Sequence, residues 1–176
     1  MKKLLVLVVV GLLALTGLTG CAAPKTYKFG TGSSTTVSGR AATAEAAGRV
    51  QVTSVYAAVL LDDAGKIVYV DIDAAQNQGT FDAMGAVVAA NAAPTKKEKG
   101  ADYGMKGSSA IGKEWFEQAA GLEAYLVGKT AAEVEAIEID AEGVPVAEDL
   151  KTSISVGIDE YLAAFAKAVA NAVEVK

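Results

Sequence analysis

The chain has 176 residues, a length that suits one domain with a buried core. It has no His and a single Cys, which excludes Ser-His and Cys-His catalytic pairs, an internal disulfide and Cys-rich metal sites. The 21 acidic residues outnumber the 16 basic ones, for a formal net charge of −5, and this balance argues against a nucleic-acid partner.

The first twenty residues are typical of an export signal. Lys2 and Lys3 precede an apolar stretch over residues 4–15, which is too short for a comfortable membrane span. The sequence Leu-Thr-Gly-Cys at 18–21 resembles the bacterial lipobox, in whose precursors the Cys becomes the first residue and carries acyl chains. The alternative is an ordinary signal peptide followed by an unmodified Cys21.

These features predict three parts of the chain. Residues 1–20 are expected to be a lipoprotein signal peptide, residues 21–26 an acylated Cys21 with a short tether, and residues 27–176 a single domain. Several acyl chains anchor a protein stably, because each buried CH₂ contributes about 0.8 kcal/mol. We therefore expect the domain at the extracytoplasmic face of the bacterial cell membrane, attached through its lipid anchor.

Residues 27–76 are predicted to form β-structure. Polar and β-branched residues dominate the first part, and a continuous apolar run follows at 57–61. The turn at 62–66 contains a Gly suited to a left-handed conformation. In the strand that follows, Val70 and Ile72 share one face, so we expect a hairpin here.

The segment 77–107 leaves two alternatives open. Thr80-Phe81 and residues 86–88 could form a weak hairpin, or residues 83–93 a short Ala-rich helix. Pro94 and the basic run Lys96–Lys99 predict a solvated loop. The lysines of that run serve either solubility or a patch for a partner or an anion.

The second half of the chain is predicted to be helical. Apolar residues recur at helical spacing from Ile111 to Leu126, with Ser108 or Ser109 as the cap and Gly128 at the end. A capping box at Thr130 starts a short helix that ends near Ile137. A last amphipathic helix runs over 158–173. Strands followed by helices predict an α+β fold, a mostly antiparallel sheet with helices on one face.

Three clusters contain residues that could carry chemistry. Ser109 and Lys113 are spaced for one helical turn, as a serine–lysine hydrolase requires, but a capping serine and a surface lysine are the simpler interpretation. Asp71 and Asp73 share one side of their strand, where they form either a calcium site or an exposed polar face. No phosphate-binding Gly-rich motif occurs in the sequence.

The third cluster is aromatic. Tyr103 and Met105 precede the helix that contains Trp115, and glycines flank this junction. The three side chains could line a groove for a flat ring, with helix N–H groups holding an anionic head group. The alternative is that Trp115 anchors the helix in the core.

The segment 149–155 (Asp-Leu-Lys-Thr-Ser-Ile-Ser) resembles a known motif, D-x-x-[ST]-G-A-[ST] before a C-terminal helix. That motif belongs to the extracytoplasmic FMN-binding domains of bacterial electron-transfer lipoproteins. In that family a flavin transferase esterifies the final hydroxyl with the phosphate of FMN. The resemblance implies that Asp149, Thr152 and Ser155 bind FMN, with Ser155 as the attachment hydroxyl.

The resemblance extends loosely over most of the domain, including Gly65-Lys66-Ile67 and Gly128-Lys129-Thr130. Ser153 and Ile154 replace the family's Gly-Ala pair, and the larger Ile154 weighs against covalent attachment. The resemblance implies electron relay to a redox partner protein rather than turnover of a small substrate. The alternatives are a lipoprotein of the same fold that binds a ligand or protein without flavin, and a hydrolase that uses Lys113.

Overall fold

The computed structural model describes residues 25–175, so the predicted signal peptide and Cys21 lie outside the described residues. It contains a five-stranded antiparallel sheet in the order β4-β3-β2-β1-β5 with helices packed on one face, which confirms the predicted α+β architecture. Within residues 25–175 no helix is long and apolar enough to cross a membrane.

The strands are β1 (Tyr27–Arg40), β2 (Gly48–Leu61), β3 (Ile67–Phe81), β4 (Val87–Asn91) and β5 (Val173–Val175). The helices are α1 (Lys96–Lys99), a 3₁₀ helix (Gly100–Tyr103), α2 (Trp115–Leu126), α3 (Ala131–Glu135), α4 (Glu148–Lys151) and α5 (Asp159–Ala170).

The predicted hairpin between β2 and β3 is confirmed. An Asp62 carboxylate oxygen accepts the backbone N–H groups of Ala64 and Lys66 at 3.0 and 2.8 Å. Gly65 has a φ of 75°, which a residue with a Cβ adopts only at a cost. The turn is therefore fixed by its own side chains and backbone.

The segment after β3 forms the hairpin, and the alternative of a helix over 83–93 is wrong. Phe81 pairs with Val87, and β4 lies at the edge of the sheet. Asp82 accepts the N–H groups of Met84 and Ala86, which repeats the turn chemistry of the first hairpin. This local turn prevails over the helix propensity of the alanines.

The predicted loop at the basic run is also wrong, because Lys96–Lys99 forms the short helix α1. Thr95 and Glu98 form a capping box at its start. The sequence Thr-Lys-Lys-Glu at 95–98 contains the capping box, but its run of lysines favoured the prediction of a solvated loop.

Helix α2 starts at Trp115 rather than at Ile111. Gly112 has a φ of 64°, and Glu114 is the residue that precedes the helix. The helix ends at Leu126, and Gly128, with a φ of 85°, donates its N–H to Ile67 O at 2.8 Å. Ser108 and Ser109 therefore lie in the preceding loop and do not cap the helix.

The remaining helices differ from prediction mainly at their ends. Thr130 caps α3 as predicted, but α3 ends at Glu135, two residues before Ile137. The last helix ends at Ala170, and Val173 pairs with Phe29 in strand β5 instead of continuing the helix. A local periodicity cannot detect this pairing, because the partner strand lies at the other end of the domain.

The core lies between the helices and one half of the sheet. Alternate residues of β2 from Val55 to Leu61 are buried, and β3 contributes Val70, Ile72 and Ala74. Helix α5 packs on β1 and β2, whereas α2 packs on β3. We call this side of the sheet the covered face and the opposite side the open face.

Helix α5 approaches β1 so closely that two positions of the strand have no room for a side chain. A Cβ added at Gly30 would lie 2.0 Å from Ala168 O, and one added at Gly32 would lie 2.3 Å from Ala164 O. These glycines fix the distance between the helix and the sheet.

We expect Gly30→Ala to lower the free energy of unfolding by about 1–3 kcal/mol, because the methyl group must displace the helix backbone. The matched control is Gly79→Ala, whose added Cβ would meet its nearest neighbour at an ordinary 3.5 Å. Urea denaturation of both variants measures the difference. Equal stabilities would contradict the close approach of α5.

Candidate functional site

Ser155, the residue matched to the flavin attachment hydroxyl, lies between α4 and α5 and is bonded to α2. Its backbone N–H donates to the Gln118 side-chain oxygen at 2.8 Å, and its hydroxyl lies 3.3 Å from the same atom. Gln118 is fully buried, and its amide nitrogen donates to Ser109 Oγ at 2.9 Å and to Lys113 O at 3.2 Å. A buried amide with both ends bonded holds this loop in one position.

The two departures from the family motif are accommodated by packing. Ile154 is fully buried in the core, so its side chain does not cover the surface beside Ser155. Ser153 packs on α2 at Gly121, where an added Cβ would lie 2.9 Å from Ser153 Cβ. A small residue on the helix thus makes room for the serine.

Asp149 and Thr152, the other two residues of the motif, are exposed on one turn. The Thr152 hydroxyl donates to Asp149 O at 2.8 Å, and the Lys113 ammonium donates to Thr152 O at 3.0 Å. Lys151 lies on the same turn, half-exposed beside Glu148. Lys113 and Lys151 thus place two positive charges next to the motif.

The serine–lysine pair is not assembled as a catalytic pair. Ser109 Oγ accepts the backbone N–H groups of Ile111 and Lys113, both at 3.3 Å. The Lys113 ammonium instead contacts Thr152 O. Both residues therefore support the loop around Gln118.

Tyr103, Met105 and Trp115 come together around the start of α2. The Lys96 ammonium lies 5.0 Å from the centre of the Tyr103 ring and 5.2 Å from the Trp115 ring, within cation–π range. The Met105 N–H donates to a Glu114 carboxylate oxygen at 2.8 Å. The first turn of α2 therefore joins this aromatic cluster to the Ser155 loop.

Trp115 itself is a core residue, only 2% exposed. Its indole N–H donates to the Tyr161 hydroxyl at 2.8 Å, and the two rings are nearly perpendicular. Burial raises the pKa of Tyr161 to about 12, so this phenol is neutral at ordinary pH. The structure thus places Trp115 as a helix anchor and leaves Tyr103 at the surface.

A polar groove lies on the sheet beside this cluster, and sequence reasoning missed it. The Tyr103 hydroxyl donates to the Gln76 side-chain oxygen at 3.3 Å, and Gln76 lines a groove of about 260 Å³. The only sequence signal is the alternation of Gln76, Gln78 and Thr80 along one strand. We call this the amide groove; its lining is Gln76, Gln78, Thr80, Ala89, Asn91, Ala93 and Lys99.

The basic run contributes to packing rather than to an open patch. Lys97 forms ion pairs with Asp71 and, at 2.6 Å, with Glu123, and its backbone N–H donates to Asp73. Burial alone would lower the pKa of Lys97, but hydrogen bonds and attraction from Asp71 and Glu123 outweigh it and raise that pKa. Glu123 also accepts the Ile72 N–H at 2.8 Å, so this network covers the free edge of β3.

Another groove, larger than the amide groove, lies away from the motif. That groove, of about 700 Å³, lies on the open face of the sheet, where Tyr56, Asp71 and Asp73 line it, and at its edge Lys167 and Asn171 cover β1. Among residues 25–175 no group of three or more acidic side chains is arranged to hold a metal ion.

Comparison with known proteins identifies one partial relative. The chain is 41% identical over 109 residues to a chlorophenol reductase of Desulfitobacterium hafniense. The matched segment covers 50% of this chain and 32% of that protein. The chain thus spans about a third of the length of this relative. No known family's sequence profile matches the chain, and no solved structure matches it significantly.

The buried Tyr161 phenol makes stability depend on pH. The native pKa of about 12 exceeds the ordinary value of 10.0, so the stabilising contribution is complete below pH 10 and is lost as pH rises towards 12. We expect this loss to reach about 3 kcal/mol. In Tyr161→Phe, which also leaves the Trp115 N–H without its acceptor, that part of the pH dependence should be absent.

Urea unfolding of both proteins below pH 10 and near pH 12 tests this prediction. The two proteins differ only at residue 161. The difference between their losses of unfolding free energy from below pH 10 to near pH 12 therefore isolates the contribution of Tyr161. Identical losses would show that the phenol is not buried.

Proposed function

We propose that this protein is a lipid-anchored, extracytoplasmic FMN-binding-like protein that relays electrons near the membrane surface. The observation that carries the proposal is the position of Ser155. The buried side-chain amide of Gln118 accepts the Ser155 N–H and lies 3.3 Å from the Ser155 hydroxyl. Gln118 lies on the first turn of α2, which also carries Trp115 of the aromatic cluster.

The residues around Ser155 suit a flavin phosphate. The ammonium groups of Lys113 and Lys151 lie on or beside the turn formed by Asp149 and Thr152. Lys113 and Lys151 attract a phosphate group, against the opposing charges of Glu148, which pairs with Lys151, and of Asp149. Thr152 offers an exposed hydroxyl for a hydrogen bond to the phosphate. Because Ile154 is buried, the side chain that replaces the family's Ala leaves this surface open.

The amide groove, which Tyr103 links to the aromatic cluster at the start of α2, suits the flavin ring. The side-chain amides of Gln76, Gln78 and Asn91 can both donate and accept hydrogen bonds, as the polar edge of an isoalloxazine requires. Tyr103, at the margin of the amide groove, offers an aromatic ring, over which the ammonium groups of Lys96 and Lys99 lie at 5.0 and 5.8 Å. FMN supplies the redox chemistry, while these residues would orient the ring and limit its contact with water.

The partial relative supports the redox part of the proposal. That protein is named a reductase, and about a third of it is similar to this chain. Because Ser109 and Lys113 do not form a catalytic pair, electron relay to a partner protein is favoured over hydrolysis that uses Lys113.

A second candidate is a lipoprotein of the same fold that binds a ligand or protein without flavin. The burial of Trp115 favours it, because the Lys96 ammonium fills the space between the Trp115 and Tyr103 rings. A flavin would have to stack on Tyr103 alone or displace that lysine.

Expression of the full chain with and without a co-expressed flavin transferase separates the two candidates. We expect a band that fluoresces under blue light on a denaturing gel and that disappears in Ser155→Ala. The matched control is Ser153→Ala, which changes the neighbouring serine and should keep the fluorescence. Flavin released from native protein by denaturation, with a dark gel band, would indicate noncovalent binding. A dark band and no released flavin would contradict the proposal and favour the second candidate.

A further inference from the structure

One end of the open face carries a continuous apolar and aromatic surface. Val173, Phe29, Leu60 and Tyr69 are paired across four adjacent strands, so their side chains form one row on this face. Phe29 is 41% exposed, Tyr69 56% and Val173 67%. We call this surface the end patch; its residues are Tyr27, Phe29, Leu60, Tyr69, Val173 and Val175.

The end patch has a sharp polar boundary. The next row along the strands is formed by Thr31, Ala58 and Asp71, and the row after it contains Asp73. Because a carboxylate is costly to remove from water, an apolar partner that covers the end patch must stop before Asp71. Only the end of the sheet, and not the whole open face, is therefore available to such a partner.

The chain outside the described residues joins the domain at this patch. Strand β1 begins at Tyr27, and the preceding residues include the apolar stretch 4–15 and Cys21. Tyr27 follows Cys21 by six residue steps, a span of at most about 21 Å when fully extended. An acyl chain on Cys21 would therefore hold the end patch close to the bilayer.

We propose that the end patch docks on the surface of the lipid bilayer. The proposal rests on the lipid anchor of the proposed function but not on flavin. Tyrosine side chains favour the membrane interface, because the ring lies in the apolar region while the hydroxyl remains in contact with water. The charges at this end of the sheet are balanced, with Lys25 and Lys66 opposed by Asp62 and Asp63, so the apolar and aromatic side chains carry the proposal. A short tether raises the local concentration of the bilayer, so weak contacts suffice.

Docking through the end patch leaves the amide groove away from the bilayer contact, because Tyr69 and Gln76 lie on opposite faces of β3. Gln76 follows Tyr69 by seven residues along β3, which corresponds to about 23 Å. The domain would extend away from the bilayer with its amide groove accessible to a redox partner.

The test uses the full chain, exported and processed by bacterial cells and reconstituted in vesicles that contain anionic lipids and lipids brominated on the acyl chains. Trp115 is the single native Trp and is buried, so wild-type emission gives the background. We expect Tyr69→Trp to lose emission in brominated vesicles relative to unbrominated ones. The matched control is Tyr56→Trp, on the same face but four residues along β2 from Leu60, which should keep its emission.

Sedimentation of the vesicles separates the failure of docking from the failure of the anchor. Wild type should sediment with the vesicles, and Cys21→Ser should not. Sedimentation with equal emission losses, or none, in the two Trp variants would overturn docking and leave the anchor intact. Wild-type protein that stays in solution would overturn both the anchor and the docking.

Discussion

A mismatch in length between helices and strands determines the architecture of this domain. Helices α2 and α5 each have 12 residues, about 18 Å, whereas β1 and β2 have 14 residues, about 46 Å. The helices therefore cover only part of one face of the sheet. The core lies beneath them, and the close approach of α5 at Gly30 and Gly32 fixes its thickness.

Both proposed functional surfaces follow from this incomplete cover. The amide groove lies where α2 begins and the sheet continues without a helix above it, so polar side chains such as Gln76 and Gln78 stay accessible. The end patch lies on the open face, which no helix among residues 25–175 covers, next to the start of the domain. The pattern of buried residues does not predict either surface, because the residues of both surfaces lie outside the hydrophobic core.

Sequence predicted most local features, with the Thr95 capping box as an exception, and missed those that depend on distant contacts. The turn at Asp62 and Gly65 and the Thr130 cap are local, because the side chain and the N–H groups that it accepts lie within a few residues. By contrast, Val173 joins a strand whose partner is Phe29, and periodicity extended it into a helix.

The candidate site shows the same division between local and distant signals. The resemblance drew attention to Ser155, but Gln118, which holds it, lies 37 residues earlier on another helix. Nothing in the sequence around Gln118 marks it as different from a surface residue of an amphipathic helix. The convergence of the Ser155 loop with Tyr103 and Trp115 is a property of the packing of α2, and only the structure shows it.

The central claim is that flavin binds beside Ser155 at the start of α2. Titration of ¹⁵N-labelled protein with FMN, followed by NMR, tests it most directly. The account predicts chemical-shift changes at the Ser155 backbone amide and the Gln118 and Gln76 side-chain amides, with the Tyr56 and Asp71 amides of the open face unchanged. No shifts, or shifts confined to the open-face groove, would contradict it.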